Sequence, residues 1–276
     1  MKSRTIPLIL IPMVLMLACK KEPDLTLVEE TLYEGTAITA IATDADWEVE
    51  VVSSDLTRVV LGYSKCLEKG VSAVLDNGKL SLQLSQSTSF PAGATIKAVV
   101  YTNTIGSVAL DYSKAVFTGD FSSTSLTMTL KNNSSCAALS ANVAGDCQIT
   151  LDKTSVLSDC NIACANANIV AGNTSRLAGT IAPSDTLVVE LQNNSRFVNY
   201  YAEPQAVRAK ISSSSLMNIA QTSTQSMEIE LVDSEASVNV SGTITGSLSD
   251  GSTLYYKGTP DTSGLDVSDD SSLVHF

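Results

Sequence analysis

The sequence is poor in the side chains that most often carry catalysis or bind nucleic acids. It has a single histidine, His275, and its 17 Lys and Arg are outnumbered by 29 Asp and Glu, which gives a formal net charge of −12. An acidic protein repels phosphates and anionic lipid headgroups, so nucleic-acid binding is not an expected function. The charge itself is interpreted as a source of solubility.

Aromatic and charged residues are also scarce, at 5% and 17% of the chain. Serine, threonine, asparagine and alanine are abundant instead. This composition suits short strands and tight turns better than amphipathic helices. It predicts an all-β protein.

The cysteines lack the spacing of a metal site. Cys19 is assigned to lipidation below, and the other five are Cys66, Cys136, Cys147, Cys160 and Cys164. Because five is odd, at least one thiol is expected to stay free. No second cysteine pair accompanies the closely spaced Cys160 and Cys164, so neither a metal nor a cofactor is expected. Small buried hydrophobic residues are the preferred interpretation, and a disulfide among Cys147, Cys160 and Cys164 is the alternative.

Residues 1–18 are typical of a lipoprotein signal peptide. Two basic residues precede an apolar run from Ile6 to Leu17, which is too short to favour a spanning helix. The five residues ending at Cys19 (LMLAC) resemble a bacterial lipobox, with Met16 where leucine is commoner. Cys19 is therefore expected to carry a lipid that anchors the protein to a membrane. Ordinary secretion with an incidental cysteine is the alternative.

Residues 19–37 are interpreted as the lipidated N-terminus and a polar tether. Lys20 stands where an aspartate would resemble an inner-membrane retention signal. This favours the outer membrane and leaves open whether the protein faces the periplasm or the cell exterior.

Residues 126–240 repeat themselves nearly every twenty residues. Each repeat has two apolar residues in alternation, then a polar turn, then usually another apolar residue. Self-similarity at a fixed period predicts a parallel β-helix, or β-solenoid, with rungs of about twenty residues.

Three apolar columns are expected to stack in the interior, with steps of twenty residues except for one step of twenty-one between the second and third rungs. The first is Val108, Met128, Ile149, Ile169, Val189, Ala209 and Ile229; the second is Leu110, Leu130, Leu151, Ala171, Leu191, Ile211 and Leu231; the third is Val116, Cys136, Leu157, Leu177, Phe197, Met217 and Ser237. The small Ala209 and Ser237 predict a looser C-terminal end.

A polar column is expected at the turn that follows each strand. Its members are Asn133, Thr154, Thr174, Asn194, Ser214 and Ser234. Such residues bond their own backbone and tolerate left-handed geometry, so this column is interpreted as structural.

The solenoid is expected to span residues 105–258, with a β-rich capping region at 38–104 that protects its first rung. Within the cap, Asp76-Asn77-Gly78 predicts a tight hairpin turn and Ser64–Lys69 a short helical turn. Residues 259–276 are expected to form an acidic, solvated tail, with a last strand as an alternative. Calcium binding by the tail is disfavoured, because its aspartates lack the spacing of a calcium loop.

Several of these segments together resemble one known family. They are the lipoprotein start, the Trp47–Val51 strand, the turn at Asp76–Leu80, the serine-rich rungs and the closing Leu254-Tyr255-Tyr256-Lys257-Gly258. The sequence from about residue 37 to 276 resembles the putative auto-transporter adhesin, head GIN domain family. The resemblance implies a β-helical lipoprotein of the kind found in Bacteroidetes, of unknown function, and it supplies no catalytic residues.

The expected function is that of a cell-envelope lipoprotein with an adhesin-like binding module for a glycan or protein ligand. The candidate contact residues are Tyr200, Tyr201, Tyr255 and Tyr256, because tyrosine combines apolar area with a hydroxyl. Inward packing of half of them is the alternative.

Two other functions are weaker alternatives. A polysaccharide-acting β-helix enzyme would need paired carboxylates, and Asp146, Asp152 and Asp159 cluster in sequence without an internal histidine or a nucleophile motif. An enzyme is therefore not expected. A structural envelope protein that associates with itself is the third hypothesis, and the acidic surface weakly opposes it.

Overall fold

A computed structural model describes residues 22–276, which form twenty-three strands and one short 3₁₀ turn, Lys65–Leu67. The predicted signal peptide and the predicted lipidation site, Cys19, lie outside these residues. The N-terminal strands are β1 Leu27–Leu32, β2 Ala40–Thr43, β3 Glu48–Val52, β4 Arg58–Ser64, β5 Val71–Asp76, β6 Lys79–Leu84 and β7 Ile96–Tyr101. None of the described residues belongs to a helix that could cross a membrane.

The remaining strands build the solenoid. They are β8 Ser107–Asp111, β9 Lys114–Thr118, β10 Asp120–Ser123, β11 Leu126–Lys131, β12 Ser135–Ala137, β13 Ser140–Val143, β14 Asp146–Leu151, β15 Val156–Ala171, β16 Arg176–Leu191, β17 Arg196–Asn199, β18 Ala206–Ser212, β19 Leu216–Val232, β20 Glu235–Ser249, β21 Thr253–Lys257, β22 Asp261–Val267 and β23 Ser272–His275. Every pairing between successive rungs from β8 to β23 is parallel. The chain is therefore the predicted β-solenoid.

The first two predicted apolar columns are confirmed in full. Met128 aligns with Val108 and Ile149, and the same steps continue to Ile229. The longer step of twenty-one lies where it was predicted. All fourteen side chains are buried, and burial of one Leu or Ile contributes roughly 1.5–3 kcal/mol. These two columns therefore form the spine of the core.

The third column is wrong at its two ends. Cys136 aligns with Ala115 rather than Val116, and Met217 aligns with Ala236 rather than Ser237. Both alanines are buried, whereas Val116 is 49% exposed. The corner before β9 and the corner before β20 are each one residue shorter than the corners of the other rungs. This shifts the alignment of both strands by one residue.

The corners explain this difference in length. Most rungs turn through two consecutive residues with positive φ, and these pairs are Asn132–Asn133, Lys153–Thr154, Asn173–Thr174, Asn193–Asn194, Ser213–Ser214, Asp250–Gly251 and Asp269–Asp270. The two short corners have only one such residue, Tyr112 and Asp233. Short polar side chains tolerate this left-handed backbone best, which accounts for the polar column.

Ser234 does not belong to that polar column, and this assignment was also wrong. It belongs to an inner column of buried serines, one position later, which sequence reasoning missed: Ser113, Ser134, Ser155, Ser175, Ser195, Ser215, Ser234 and Ser252. In four of these serines the hydroxyl accepts the backbone N–H of the preceding rung's serine, as in Ser234 N to Ser252 Oγ at 3.2 Å. Hydroxyls of the column also donate to carbonyls of their own corners. The column thus satisfies buried backbone groups where the strands change direction.

Replacement of Ser252 by alanine tests the serine column. The Ser252 hydroxyl donates to Ser249 O at 2.6 Å and accepts from Ser234 N. Its loss leaves a buried N–H without an acceptor, so we expect Ser252→Ala to lower the free energy of unfolding by about 1–3 kcal/mol in urea titrations. Ser175→Ala is the matched control, because the Ser175 hydroxyl has no partner among the described residues and should change stability little. Equal losses in both variants would contradict the role assigned to the column.

The N-terminal strands cap one end of the solenoid in an order that differs from the chain order. β2 and β3 lie between the first rung, β8 and β9, and an outer rung made of β6 and β7. Strand β4 then pairs antiparallel with β7, β1 with β4, and β5 with β6. This mixed sheet covers the edge of the first rungs, as the predicted cap should. The hairpin turn at Asn77 and Gly78 and the helical turn near Lys65 are both present.

Residues 259–276 form a further rung rather than a solvated tail. Strand β22 pairs with β20 and strand β23 pairs with β21, both parallel. Asp269 and Asp270 occupy the left-handed corner of this rung. These two aspartates therefore adopt the left-handed turn conformation that asparagine and serine adopt in earlier rungs.

Candidate functional site

The first tyrosine pair predicted from the sequence lies on the surface after β17. Tyr200 and Tyr201 are 48% and 62% exposed. The Tyr201 hydroxyl donates to Glu203 Oε1 at 3.2 Å, and Tyr200 N donates to Gly179 O at 2.9 Å. Both rings are thus available to a partner.

The second pair, Tyr255 and Tyr256 on β21, is half-buried. The Tyr255 ring meets Phe276 edge-on, with centroids 6.3 Å apart, and Tyr256 packs against the core and against His275. Tyr256 therefore follows the inward alternative. The register runs from Val198 through three rungs to Tyr255, which is about 14 Å along the stacking direction at a strand spacing of about 4.8 Å, and Tyr200 lies two residues beyond Val198. The structure does not bring the four tyrosines together.

Two of the three acids that cluster in the sequence, Asp146 and Asp152, take part in surface hydrogen bonds. Asp146 Oδ1 accepts from Asn166 Nδ2 at 2.8 Å, and Asp152 Oδ1 accepts from Asn173 Nδ2 at 2.7 Å. Asp159 has a left-handed backbone, with φ of 53°. Asp146 and Asp152 therefore join neighbouring rungs at their corners.

The cysteines are mostly interior. Cys66 is half-buried and the other four described cysteines are buried, with no disulfide among the five. Burial raises the pKa of Cys160 to about 12. A hydrogen bond between the Cys147 and Cys164 thiols raises the pKa of Cys147 and lowers that of Cys164. Of the three thiols considered for a disulfide, these two are in contact.

A cleft that sequence reasoning missed lies where the cap meets the first solenoid corner. Its volume is about 200 Å³. Trp47, Ala94 and Ile96 are its buried lining residues, while Phe90 and Tyr112 are exposed. Asp46, Glu48, Thr95 and Lys114 complete the lining. The cleft therefore combines aromatic surface with hydrogen-bonding groups of both kinds.

Backbone contacts fix the floor of this cleft. Lys114 N donates to Trp47 O at 2.8 Å, and the buried Ser113 hydroxyl donates to Ala45 O. These bonds tie the segment before β3 to the corner that carries Tyr112. The Trp47 indole Nε1 is buried and has no acceptor among the described residues.

The charges of the cleft are mixed. Glu48 pairs with Lys97 at 2.9 Å, and this hydrogen bond raises the pKa of Lys97. Lys114 aligns with Glu48 on the neighbouring strand. The Glu48 carboxylate is therefore paired with one ammonium group, and Lys114 lies beside it on the neighbouring strand.

Tyr112 stands out among the corner residues of the solenoid. Its φ is 51°, and its side chain is 59% exposed. In the equivalent corner of the other rungs, the left-handed residues are Asn, Asp, Ser, Thr, Lys or Gly. A bulky aromatic side chain at positive φ is uncommon and costs conformational energy. This departure from the repeat was the one signal in the sequence that could have located the cleft.

The family model described as "Putative auto-transporter adhesin, head GIN domain" matches residues 37–260. The chain belongs to this family. The match includes all lining residues of the cleft, all four candidate tyrosines and the whole solenoid except its last rung. No curated protein matches the chain.

Solved structures share the fold of this head GIN domain. A putative adhesin from Parabacteroides merdae is 9% identical, with a TM-score of 0.60 over 92% of this chain and 98% of that one. A putative adhesin from Parabacteroides distasonis is 10% identical, with a TM-score of 0.59 over 92% and 95%. A putative lipid binding protein from the same organism is 13% identical, with a TM-score of 0.53 over 91% and 96%. At these identities the likeness concerns the fold alone.

Proposed function

We propose that this head GIN domain protein is a lipid-anchored protein of the outer membrane that acts as an adhesin-like binding module for a glycan or protein partner, without catalytic activity. The lipobox-like sequence ending at Cys19 supports the anchor. The family description supports the binding role.

The shape of the solenoid is the observation that carries this proposal. One face stacks eleven parallel strands from β6 to β22, which extends about 48 Å at a spacing of about 4.8 Å. Strand β1 lies within the segment 19–37 that was predicted to be a tether, and it pairs with β4 on the outer side of the cap. A rod anchored beside its capped end holds its other rungs away from the membrane.

The outward side chains of this rod are largely free for a partner. Arg208 pairs with Glu228 at 3.6 Å and Lys210 with Glu230 at 3.1 Å, and all four side chains are exposed. Exposed ion pairs of this kind contribute at most about 1 kcal/mol each to stability. The interior columns hold the fold, so the outer faces can vary to suit a ligand.

The proposed location in the outer membrane is tested by fractionation and protease treatment of intact cells that express the full chain. Under the proposal, the wild-type protein is in the outer-membrane fraction, and Cys19→Ala releases it from that fraction without changing its unfolding. Digestion in intact cells would place it on the exterior, and protection that is lost on permeabilisation would place it on the periplasmic face. Recovery of wild-type protein in the soluble fraction would contradict the anchor.

The binding role is tested with purified residues 20–276 on a glycan array, together with light scattering. Concentration-dependent binding by a monodisperse monomer is expected. Oligomers that form without any binding to glycans or to extracellular proteins would instead support the self-associating structural alternative.

A further inference from the structure

The cleft between the cap and the first corner has the size of a site for one small ring. Pockets for drug-sized ligands occupy about 300–1,000 Å³, whereas this cleft measures about 200 Å³. The exposed rings of Phe90 and Tyr112 contribute to its lining, and Trp47 and Ile96 are buried beneath. A ligand with an apolar face and a polar edge fits such a lining.

Tyr112 is a second observation that points to a ligand. The equivalent corners show that Asn, Ser or Asp suffices for folding at this left-handed position. A tyrosine there carries conformational strain and exposes a large aromatic surface to water. Strained residues persist at sites where their position serves binding or catalysis. The fold does not need this ring, so a role in binding accounts for it.

We propose that this cleft binds a single neutral hexopyranose ring, as the end or branch of a larger glycan. The C–H face of the sugar packs on Tyr112 and Phe90, as apolar faces pack on aromatic rings. Its hydroxyls donate to the carboxylates of Asp46 and Glu48 and accept from the Lys114 ammonium. This inference rests on the proposed binding role and names the ligand class for it.

The charges of the cleft define which sugars it accepts. Asp46 and Glu48 contribute two carboxylates to the lining and Lys114 contributes one ammonium, so the lining has a formal net charge of −1. A hexuronate or a sialic acid would place a third carboxylate beside them, and like charges disfavour binding. Neutral hexosides are therefore preferred over their uronate counterparts.

Trp47 provides the readout, because it is the only tryptophan of the chain and lines the cleft. Titration of purified residues 20–276 with the methyl glycosides of glucose, galactose, mannose and N-acetylglucosamine is followed by fluorescence and checked by calorimetry. At least one glycoside is expected to bind with a Kd roughly in the millimolar range, and glucuronate to bind more weakly.

Two cleft variants and one matched control complete the test. Tyr112→Asn and Phe90→Ala are each expected to weaken binding about tenfold or more. Tyr112→Asn should keep or raise the melting temperature, because asparagine suits the left-handed corner better. Lys153→Asn introduces asparagine at another left-handed corner with the same φ of 51°, away from the cleft, and should leave binding unchanged.

Some results would overturn the proposal. One is the absence of any change in Trp47 fluorescence or heat of binding with all of the glycosides up to roughly 50 mM, about ten times the expected Kd. The other is a Kd that Tyr112→Asn leaves unchanged. If the wild-type protein still binds the glycan array and Tyr112→Asn binds it equally well, the cleft proposal fails and the general binding role stands. If neither the array nor the glycosides bind, the cleft proposal fails, and the general binding role fails with it only if extracellular proteins do not bind either.

Discussion

Leu191→Asp is expected to abolish the cooperative unfolding transition of the protein. Leu191 is fully buried, at 0% exposure, and lies in the second column between Ala171 and Ile211. The substitution removes roughly 1.5–3 kcal/mol of apolar burial and places a carboxylate between the buried apolar side chains of Ala171 and Ile211, which costs several kcal/mol more. The sum is comparable with the whole stability of a domain, about 5–15 kcal/mol.

The geometry of a solenoid makes this change more damaging than in a globular core. Each rung contacts only its neighbours, so a broken rung separates the capped N-terminal rungs from the C-terminal ones. We therefore expect thermal and urea unfolding, followed by circular dichroism, to become broad or to start from a partly unfolded state. Gln192→Asp is the matched control, because it adds the same charge one residue later on an exposed side chain. A Leu191→Asp protein that melts like the wild type would contradict the stacking register.

Gly246→Ala is expected to produce the second-largest loss of stability, about 2–4 kcal/mol. Gly246 lies in β20 with φ of +120°, a conformation that residues with a side chain rarely adopt. A Cβ at this position would lie 1.9 Å from Ile229 O, a backbone atom of the neighbouring rung. The rungs would have to separate locally to accommodate the methyl group.

Gly251→Asn supplies the control for this prediction. Gly251 also has positive φ, at +70°, but no atom lies within 4 Å of the point that its Cβ would occupy, and asparagine tolerates left-handed backbone. Urea titration should show a shift of less than about 1 kcal/mol for Gly251→Asn. Similar unfolding midpoints for Gly246→Ala and the wild type would show that the two rungs are not in close contact there.

The sequence alone predicted the interior columns well, because alternation and a fixed period leave a direct mark on apolar residues. The predicted third column was wrong at Val116 and Ser237, because a corner can lose one left-handed residue without changing the apolar pattern inside the strands. The same one-residue change moved Ser234 from the outer polar column to the buried serine column. Corner length is decided by backbone geometry, which the residue types reflect only weakly.

Tyr112 marks one side of the cleft in the sequence, but the residues opposite it could not be predicted, because they depend on the order in which strands pair. Phe90 belongs to the cap and Tyr112 to the first solenoid corner, and they line one cleft because β3 lies between β7 and β9. No local pattern encodes that insertion of an earlier strand between two later ones. The four candidate tyrosines are predicted from residue type alone, which carries no information about strand pairing. In the structure the two pairs lie three rungs apart.

A crystal structure of the protein soaked with the methyl hexoside that changes Trp47 fluorescence would test the binding site directly. We expect density for one sugar ring against Tyr112 and Phe90, with hydroxyls within hydrogen-bonding distance of Asp46, Glu48 or Lys114. Density at Tyr200 and Tyr201 or at Tyr255, with an empty cleft, would contradict the proposed site.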